Sequence, residues 1–326
     1  LDRYAKVNDD GEYESPIASA GKRFFTMLGT LVGGRVAVGS AGLAATKSAL
    51  TIATRYATER RQFGPNEAAE VPIMRYRTHQ LRLLPRIARA YALSFAFQNL
   101  VTDFVAQQEV EDKRELEAMA AGLKSYATWF ANDTIQECRE ACGGQGYLSV
   151  NRFSSLREDA DIFATFEGDN TVLMQLVAKS RLTAFRHQFS EPGLFGVVRF
   201  IARQAGAVVA ETNPYTSRQT DSEHLRSAEL HRDTLQYRDD FLTQTLARRF
   251  KRRLDDGMRP FDALNDCQDH FLSLAYAHEE NVVYAAFADA VEQVEDAELR
   301  GVLDKVRALF GLSCMQEQMG WFMEAG

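Results

Sequence analysis

Three features of the sequence predict an all-α fold, a bundle of four long helices followed by a second helical domain. Glycine (21 residues) and proline (7) are sparse in the 326-residue chain, roughly 9% against a usual ~12%. Long stretches rich in Ala, Leu, Arg and Glu carry neither, which favours helix. Apolar residues recur at helical spacing, and nothing resembles a βαβ repeat. With 45% hydrophobic residues, the chain can bury sizeable cores, and its length suits two domains.

Residues 1–22 hold Gly11, Pro16 and Gly21 among polar side chains and read as an extended lead-in. Residues 23–188 form the bundle. Its first helix runs from Phe24 to about Gln62, with Leu28, Leu31, Val32, Gly39, Leu43, Leu50, Ala53 and Ala57 at helical spacing, and Gly64-Pro65 stops it. The second starts near Val71-Pro72, since proline suits a first helical turn, and runs to about Gln108. Pro85 predicts a kink there rather than a break, because apolar periodicity continues through Leu84, Ile87, Tyr91, Phe95 and Leu100. The third spans about Val110 to Cys142 and is closed by Gly143-Gly144-Gln145-Gly146-Tyr147. Residues 150–166 read as irregular, and the fourth helix runs from about Thr171 to Phe185. Pro192-Gly193 marks the boundary to the second domain, 189–326. Helices are expected there over 197–210, 221–256, 261–291 and 296–323, with turns at Asn213-Pro214 and Asp256-Gly257.

Charge and cysteine content narrow the function classes. A net charge of −7 argues against general nucleic-acid binding. The one basic run, Arg248 to Arg253, lies among acidic helices and reads as a solvated or interfacial face. No uncharged run reaches about 18 residues, so no membrane-spanning helix is expected. No charged-then-apolar leader opens the chain, and the first residue is Leu1, which reads as a chain cut from something longer. Cys138, Cys142, Cys267 and Cys314 are too few for a disulfide scaffold, and the first two read as small buried thiols. The six histidines form no HExxH, and none lies three residues after a Glu, so no metal site is expected.

Three constellations could carry chemistry. In Phe166-Glu167-Gly168-Asp169-Asn170-Thr171, entering the fourth helix, Asp169 or Asn170 can cap that helix. Glu167 sits between Phe163 and Phe166 on one side and a glycine on the other, so its carboxylate can be held against apolar surface while Gly168 lets a ligand approach. Burial favours the protonated form and the helix N-terminus the ionised one; a solvated first-turn charge is the ordinary alternative. In Glu140-Ala141-Cys142-Gly143-Gly144-Gln145-Gly146-Tyr147 the paired glycines end a helix or expose backbone N–H groups to a phosphate or ring. In Glu59-Arg60-Arg61-Gln62-Phe63-Gly64 the arginines complement a helix C-terminus. Arg35 and Arg60 are 25 residues apart, close to seven turns, so on an unbroken helix they share a face roughly 38 Å apart.

The order of these elements resembles the acyl-CoA oxidase and acyl-CoA dehydrogenase flavoproteins. The match runs through Gly34-Arg35, Tyr56-Ala57-x-x-Arg60-x-x-Phe63-Gly64, Gly143-Gly144-x-Gly146-Tyr147 and Phe166-Glu167-Gly168, and extends to Gly320-Trp321-Phe322-Met323-Glu324. Arg61-Gln62-Phe63-Gly64-Pro65 and Glu167-Gly168-Asp169-Asn170-Thr171-Val172 look more like the oxidases. The resemblance implies that Glu167 is the base taking the α-proton of an acyl-CoA thioester, with Gly168 and Arg35 on the substrate side. It implies an FAD cofactor contacted by Arg60, Gln62, Phe63, Gly143 and Gly144 across a homodimer or higher homo-oligomer, and by Asp169 and Thr171 within the subunit. Glu140 stands where many dehydrogenases have glutamine, so that contact is not carried over. The product would be a trans-2-enoyl-CoA, with O2 reduced to hydrogen peroxide. Family members begin with a helical and a β-sheet domain that this chain lacks, so it looks like their C-terminal half, which alone would neither hold FAD firmly nor turn over substrate. The location implied is cytoplasmic for a bacterial protein and peroxisomal for a eukaryotic one. The competing expectations are a dehydrogenase using an electron-transfer flavoprotein, and a helical interaction module with no catalysis.

Overall fold

The computed structural model describes residues 5–20, 23, 31–64, 69–107, 113–190 and 221–325. The lead-in contains a minimal hairpin: β1 (Lys6–Val7) pairs antiparallel with β2 (Tyr13–Glu14), and Lys6 meets Glu14 at 2.9 Å. The first long helix, α1, is described over Leu31–Glu59 and ends three residues short of the expected Gln62. Its last turn closes with Arg60 N–H on Tyr56 O at 2.8 Å. The chain then extends because β3 (Arg61–Gln62) finds a ladder partner in β4 (Val71–Pro72). Pro72 therefore lies in a two-residue ribbon rather than a first helical turn, at the sheet position proline tolerates. After a 3-10 turn at Ile73–Arg75, α2 runs over Arg77–Ala106 without a break at Pro85.

The central element is α3 (Arg114–Ala141), the most completely buried helix of the bundle. A Cβ on Gly39 of α1 would strike the Phe97 ring of α2 and lie 3.1 Å from Lys124 Cα of α3, and Gly33 faces Phe104. Gly42 in turn faces Thr128 and Ala131. Residue numbers rise together along α1 and α3 and oppositely along α1 and α2, so the three run up, down, up. By length and composition α1 is the one described helix apolar enough to cross a membrane. Here its Val32, Val36, Leu43 and Leu50 are buried in the bundle core.

Residues 150–166, expected to be irregular, contain a further helix, α4 (Phe153–Ile162). Ten residues with Arg157, Glu158 and Asp159 give little periodic signal, but Phe153 and Ala160 share one buried face and pack α4 onto α3. The last bundle helix is α5 (Asn170–Ser190). The expected boundary at Pro192-Gly193, the 197–210 helix and the Asn213-Pro214 turn lie outside the described residues.

The C-terminal set comprises α6 (Ala228–Asp255), α7 (Pro260–Asp266), α8 (Gln268–Glu292), α9 (Ala297–Glu317) and α10 (Met319–Ala325). Two expected helices are each divided in the structure, at Cys267 and at Gln318. Ser227 and Asp296 cap α6 and α9 by accepting from Leu230 N–H (3.2 Å) and Leu299 N–H (2.8 Å). These helices do not stand apart from the bundle. α8 packs on α2, α3 and α5, Phe287 stacks on Phe95 at 5.2 Å, and one continuous core joins Val32 to Phe310. The basic run is largely neutralised within the fold, Arg249 by Asp269 (3.0 Å) and Arg253 by Asp266 (2.7 Å). All four cysteines are buried, and burial pushes the Cys138 and Cys142 thiols up to about 12 and about 11, which makes them inert.

Candidate active site

The turn between α4 and α5 is built against α1 and α3. Glu167 has φ 60° and Gly168 φ 114°, so two successive residues lie in the left-handed region. Glycine takes that conformation freely, whereas for glutamate it costs on the order of 1–2 kcal/mol and needs outside support. The support is specific. Phe166 N–H donates to Ile162 O (3.0 Å), Gly168 N–H to Thr165 O (3.3 Å) and Asn170 N–H to Ala164 O (3.1 Å). From α1, Arg35 Nε donates to the Glu167 carbonyl at 3.2 Å. From α3, Lys124 Nζ donates to Gly168 O (2.7 Å) and to Asn170 Oδ1 (2.8 Å), with Ala164 O at 3.5 Å. Asn170 is locked in turn by its amide, which donates to Thr128 Oγ1 (2.9 Å) and Ser125 O (3.3 Å).

These contacts set the Glu167 carboxylate down on α1 where Gly34 has no side chain. A Cβ at Gly34 would overlap the carboxyl carbon and both oxygens. Oε2 is buried and has no hydrogen-bond partner, and Arg35 binds the residue's carbonyl rather than its carboxylate. The group is therefore neither a solvated first-turn charge nor a salt-bridged one. Its Oε2 is held against α1 with its hydrogen-bonding capacity unused, in a residue that is half-buried. Burial pulls the Arg35 guanidinium down from its ordinary value, opposed by Glu117 and Glu167. Burial likewise pulls the Lys124 ammonium down to about 8, with Asp169 and Glu167 opposing and Arg35 reinforcing. Asp169 does the capping, accepting from Val172 N–H at 3.2 Å, and Thr171 is exposed in the first turn of α5.

The other two constellations lie at the opposite end of the bundle. Gly143, with φ 57°, follows the C-cap Cys142 of α3, and it and Gly144 have open space where a Cβ would be. Gly146 instead presses on the Arg139 carbonyl, and Arg139 covers the Tyr147 ring at 4.5 Å. Because α1 and α3 run parallel, Arg60, Gln62 and Phe63 follow α1 at that same end. From the level of Gly34 and Lys124 it is roughly 25–40 Å along the helices. Arg60 lies beyond the helix end at Glu59, so Arg35 and Arg60 do not share a face of one unbroken helix. Arg60 is exposed, Gln62 is half-buried in the β3–β4 ribbon, and Phe63 is 78% exposed. The structure thus gathers Glu167, Gly168 and Arg35 with Gly34, Lys124 and Asn170, and sets the glycine pair and the Arg60 segment apart from them.

Sequence reasoning passed over Lys124 and the interior role of Asn170. The signal was available: Lys124 is the only charged residue between Glu117 and Asp133, in the middle stretch of α3, a place where a lone charge has to find buried partners. Gly34→Ala tests the packing directly. Alanine favours a helix by about 1 kcal/mol over glycine, so thermal stability should hold or rise. The added methyl displaces the carboxylate, and if Glu167 is the base that the sequence resemblance implies, about 1 Å of displacement should lower turnover of the full-length protein about 100-fold. Unchanged turnover would mean that the carboxylate's seat on Gly34 does not matter.

Comparison with known proteins gives the context of this geometry. Residues 28–182 match the family model "Acyl-CoA oxidase, C-alpha1 domain" and residues 228–326 the model "Acyl-CoA oxidase". The peroxisomal acyl-coenzyme A oxidase 2 of Arabidopsis thaliana is 38% identical over 99% of this chain and 47% of its own length. The solved Arabidopsis thaliana acyl-CoA oxidase 1 superposes with TM-score 0.82 at 27% identity, covering 99% of this chain and 48% of that one. An acyl-CoA oxidase-1 of Caenorhabditis elegans solved with FAD and ATP has the same fold, with TM-score 0.79, 24% identity and coverage of 98% and 46%. The chain spans about half the length of the curated relatives it matches. On these matches, and on a helical fold shared almost end to end, the chain belongs to the acyl-CoA oxidase family.

Proposed function

We propose that this chain carries the catalytic base of an acyl-CoA oxidase, and that Glu167 is that base. The reaction converts acyl-CoA and O2 to trans-2-enoyl-CoA and hydrogen peroxide. The observation that carries the reading is Glu167 Oε2, buried without a hydrogen-bond partner against bare backbone at Gly34, on a turn whose main-chain carbonyls are held by Arg35 and Lys124. A carboxylate paired to a cation is a weak proton acceptor, whereas this one keeps its lone pairs for the carbon acid. Glu167 takes the proton α to the thioester carbonyl. Gly168, lacking a side chain, leaves room for the thioester beside it, and Arg35 holds the turn while supporting the position of the acyl-CoA.

The chemistry supplied by bound FAD is acceptance of the β-hydride and reoxidation by O2. The far end of the bundle fits that cofactor. Gly143 and Gly144 offer backbone with open space above it, Arg60 is an exposed cation suited to a diphosphate, and Gln62 and exposed Phe63 flank it for an adenosine. Asp169 and Thr171 would meet the subunit's own flavin. A homodimer brings the two ends of different subunits together, which suits the exposed Phe63, Tyr147 and Val150. The same reading divides the chain into a lead-in (1–22), a bundle (23–188) and a C-terminal helical domain (189–326). It places the enzyme in the peroxisome of a eukaryote or the cytoplasm of a bacterium. The test is peroxide. The full-length protein given acyl-CoA and O2 should release one hydrogen peroxide per enoyl-CoA with no electron-transfer flavoprotein present. Enoyl-CoA formed only when that protein is added would make it a dehydrogenase.

A further inference from the structure

We propose that Lys124 is a positioning residue of the reaction, its protonated ammonium fixing the Glu167-Gly168 turn so that turnover has an alkaline limit set by this side chain. The proposal rests on the reading of Glu167 as the base. Its ground is a count of donors against acceptors. An ammonium has three N–H groups, and three oxygens surround Nζ: Gly168 O at 2.7 Å, Asn170 Oδ1 at 2.8 Å and Ala164 O at 3.5 Å. None is free to turn away. Two are main-chain carbonyls of the turn, and Asn170 cannot flip its amide because the nitrogen is committed to Thr128 Oγ1 and Ser125 O. A neutral amine has two N–H groups and a lone pair, so deprotonation points that lone pair at an oxygen. The carbonyl beside it belongs to the residue following the base, in a left-handed backbone that needs outside support.

The charged groups around Nζ are Arg35 on α1 and Glu167 and Asp169 on the turn. Burial outweighs the two carboxylates and brings the ammonium down to about 8, so the proton leaves between about pH 7 and pH 9. The consequence for folding has the opposite sign. Between the folded value and the ordinary ~10.4 the unfolded chain binds more protons, so this residue adds stability as pH rises while the turn loses a donor. A loss of turnover through that window is therefore not a loss of fold caused by Lys124. The turn lifts while Lys124 stays buried on α3, where an ammonium stripped of these oxygens is harder still to keep, so deprotonation favours the lifted turn.

The experiment compares wild type, Lys124→Met and Lys124→Arg in the flavin-loaded full-length protein. Wild-type kcat should fall as pH rises through about 8, with KM changed less. Lys124→Met should lower kcat about 100-fold at about pH 7 and abolish the pH limb, because the base is misplaced at every pH. Lys124→Arg, charged throughout, should recover part of the rate without the limb. Hydrogen exchange over 163–172, corrected for intrinsic base catalysis, should increase in wild type from about pH 7 to pH 9 and be fast at both in Lys124→Met. That measurement needs no turnover, and its wild-type arm needs no variant. Constant wild-type exchange across the window overturns the proposal. So does a Lys124→Met protein with wild-type kcat, or one that keeps the limb. If Glu167→Gln retains turnover, the reading of the base fails while the exchange data still decide the fate of Lys124.

Discussion

Glu167→Gln in the flavin-loaded full-length protein is expected to lower kcat about 10⁴-fold, the upper end of what a positioned proton acceptor contributes. The substitution is nearly isosteric, so the seat on Gly34 and the carbonyl bond from Arg35 persist. What is lost is the lone pair that takes the proton. Stability should change by about 1 kcal/mol or less, since a buried unpartnered carboxylate oxygen is replaced by a buried unpartnered amide. Acyl-CoA affinity should stay within a few-fold, because the carboxylate is assigned to the proton rather than to the thioester. Stopped-flow reduction under anaerobic conditions, followed by substrate titration, separates the two quantities. Wild-type turnover in this variant would return the chain to the non-catalytic interaction module, with Glu167 a strained turn residue and nothing more.

The long helices were legible because their signal is local. The apolar spacing of α1, α2 and α3 lies within each segment, and the Gly143-Gly144 stop is a property of one helix end. Boundaries were lost where the deciding partner was distant. Nothing in Arg60-Arg61-Gln62 announces that Val71-Pro72 will pair with it and end α1 at Glu59. α4 was missed because Phe153 and Ala160 are too few to outvote the charges between them. The site divides the same way. Glu167 and Gly168 could be picked out of their own loop, but the reason the carboxylate is bare lies 133 residues earlier, at Gly34. Lys124 and Arg35 reach the loop only because α1 and α3 run side by side in the same direction. That packing is not written in either helix alone.

Asp239→Ala should destabilise the fold by about 1–3 kcal/mol, the usual effect of taking a buried hydrogen-bond acceptor away from its donors. Asp239 on α6 is 1% exposed. It meets Arg181 of α5 at 3.1 Å and His278 Nδ1 of α8 at 3.0 Å, so one carboxylate ties the bundle to two helices of the C-terminal set. Alanine leaves a half-buried imidazole without its carboxylate and a half-buried guanidinium that keeps only Asp240, at 2.8 Å. The penalty should depend on pH in a definite way. Burial pushes Asp239 up, but His278 and Arg181 together outweigh it and hold the carboxyl below its ordinary value. Its contribution is therefore present above about pH 4 and is lost as pH falls through the folded value. Burial pulls His278 down, but the bond to Asp239 and its charge outweigh that and raise it. The histidine's contribution is full below about pH 6.5 and is lost as pH rises through the raised value. The alanine penalty should thus peak near pH 5–6 and shrink above about pH 7, when read by urea unfolding across a pH series. Neighbouring Glu279 and Glu280, which burial pushes up to about 8 and about 7, shift the whole fold the same way. They favour the folded chain while protonated and lose that advantage as pH rises from about 4.5 toward their folded values. An alanine penalty of the same size at pH 5 and pH 8 would remove His278 from the cluster. One below 1 kcal/mol at both would make the junction behave as a surface pair, which its burial forbids.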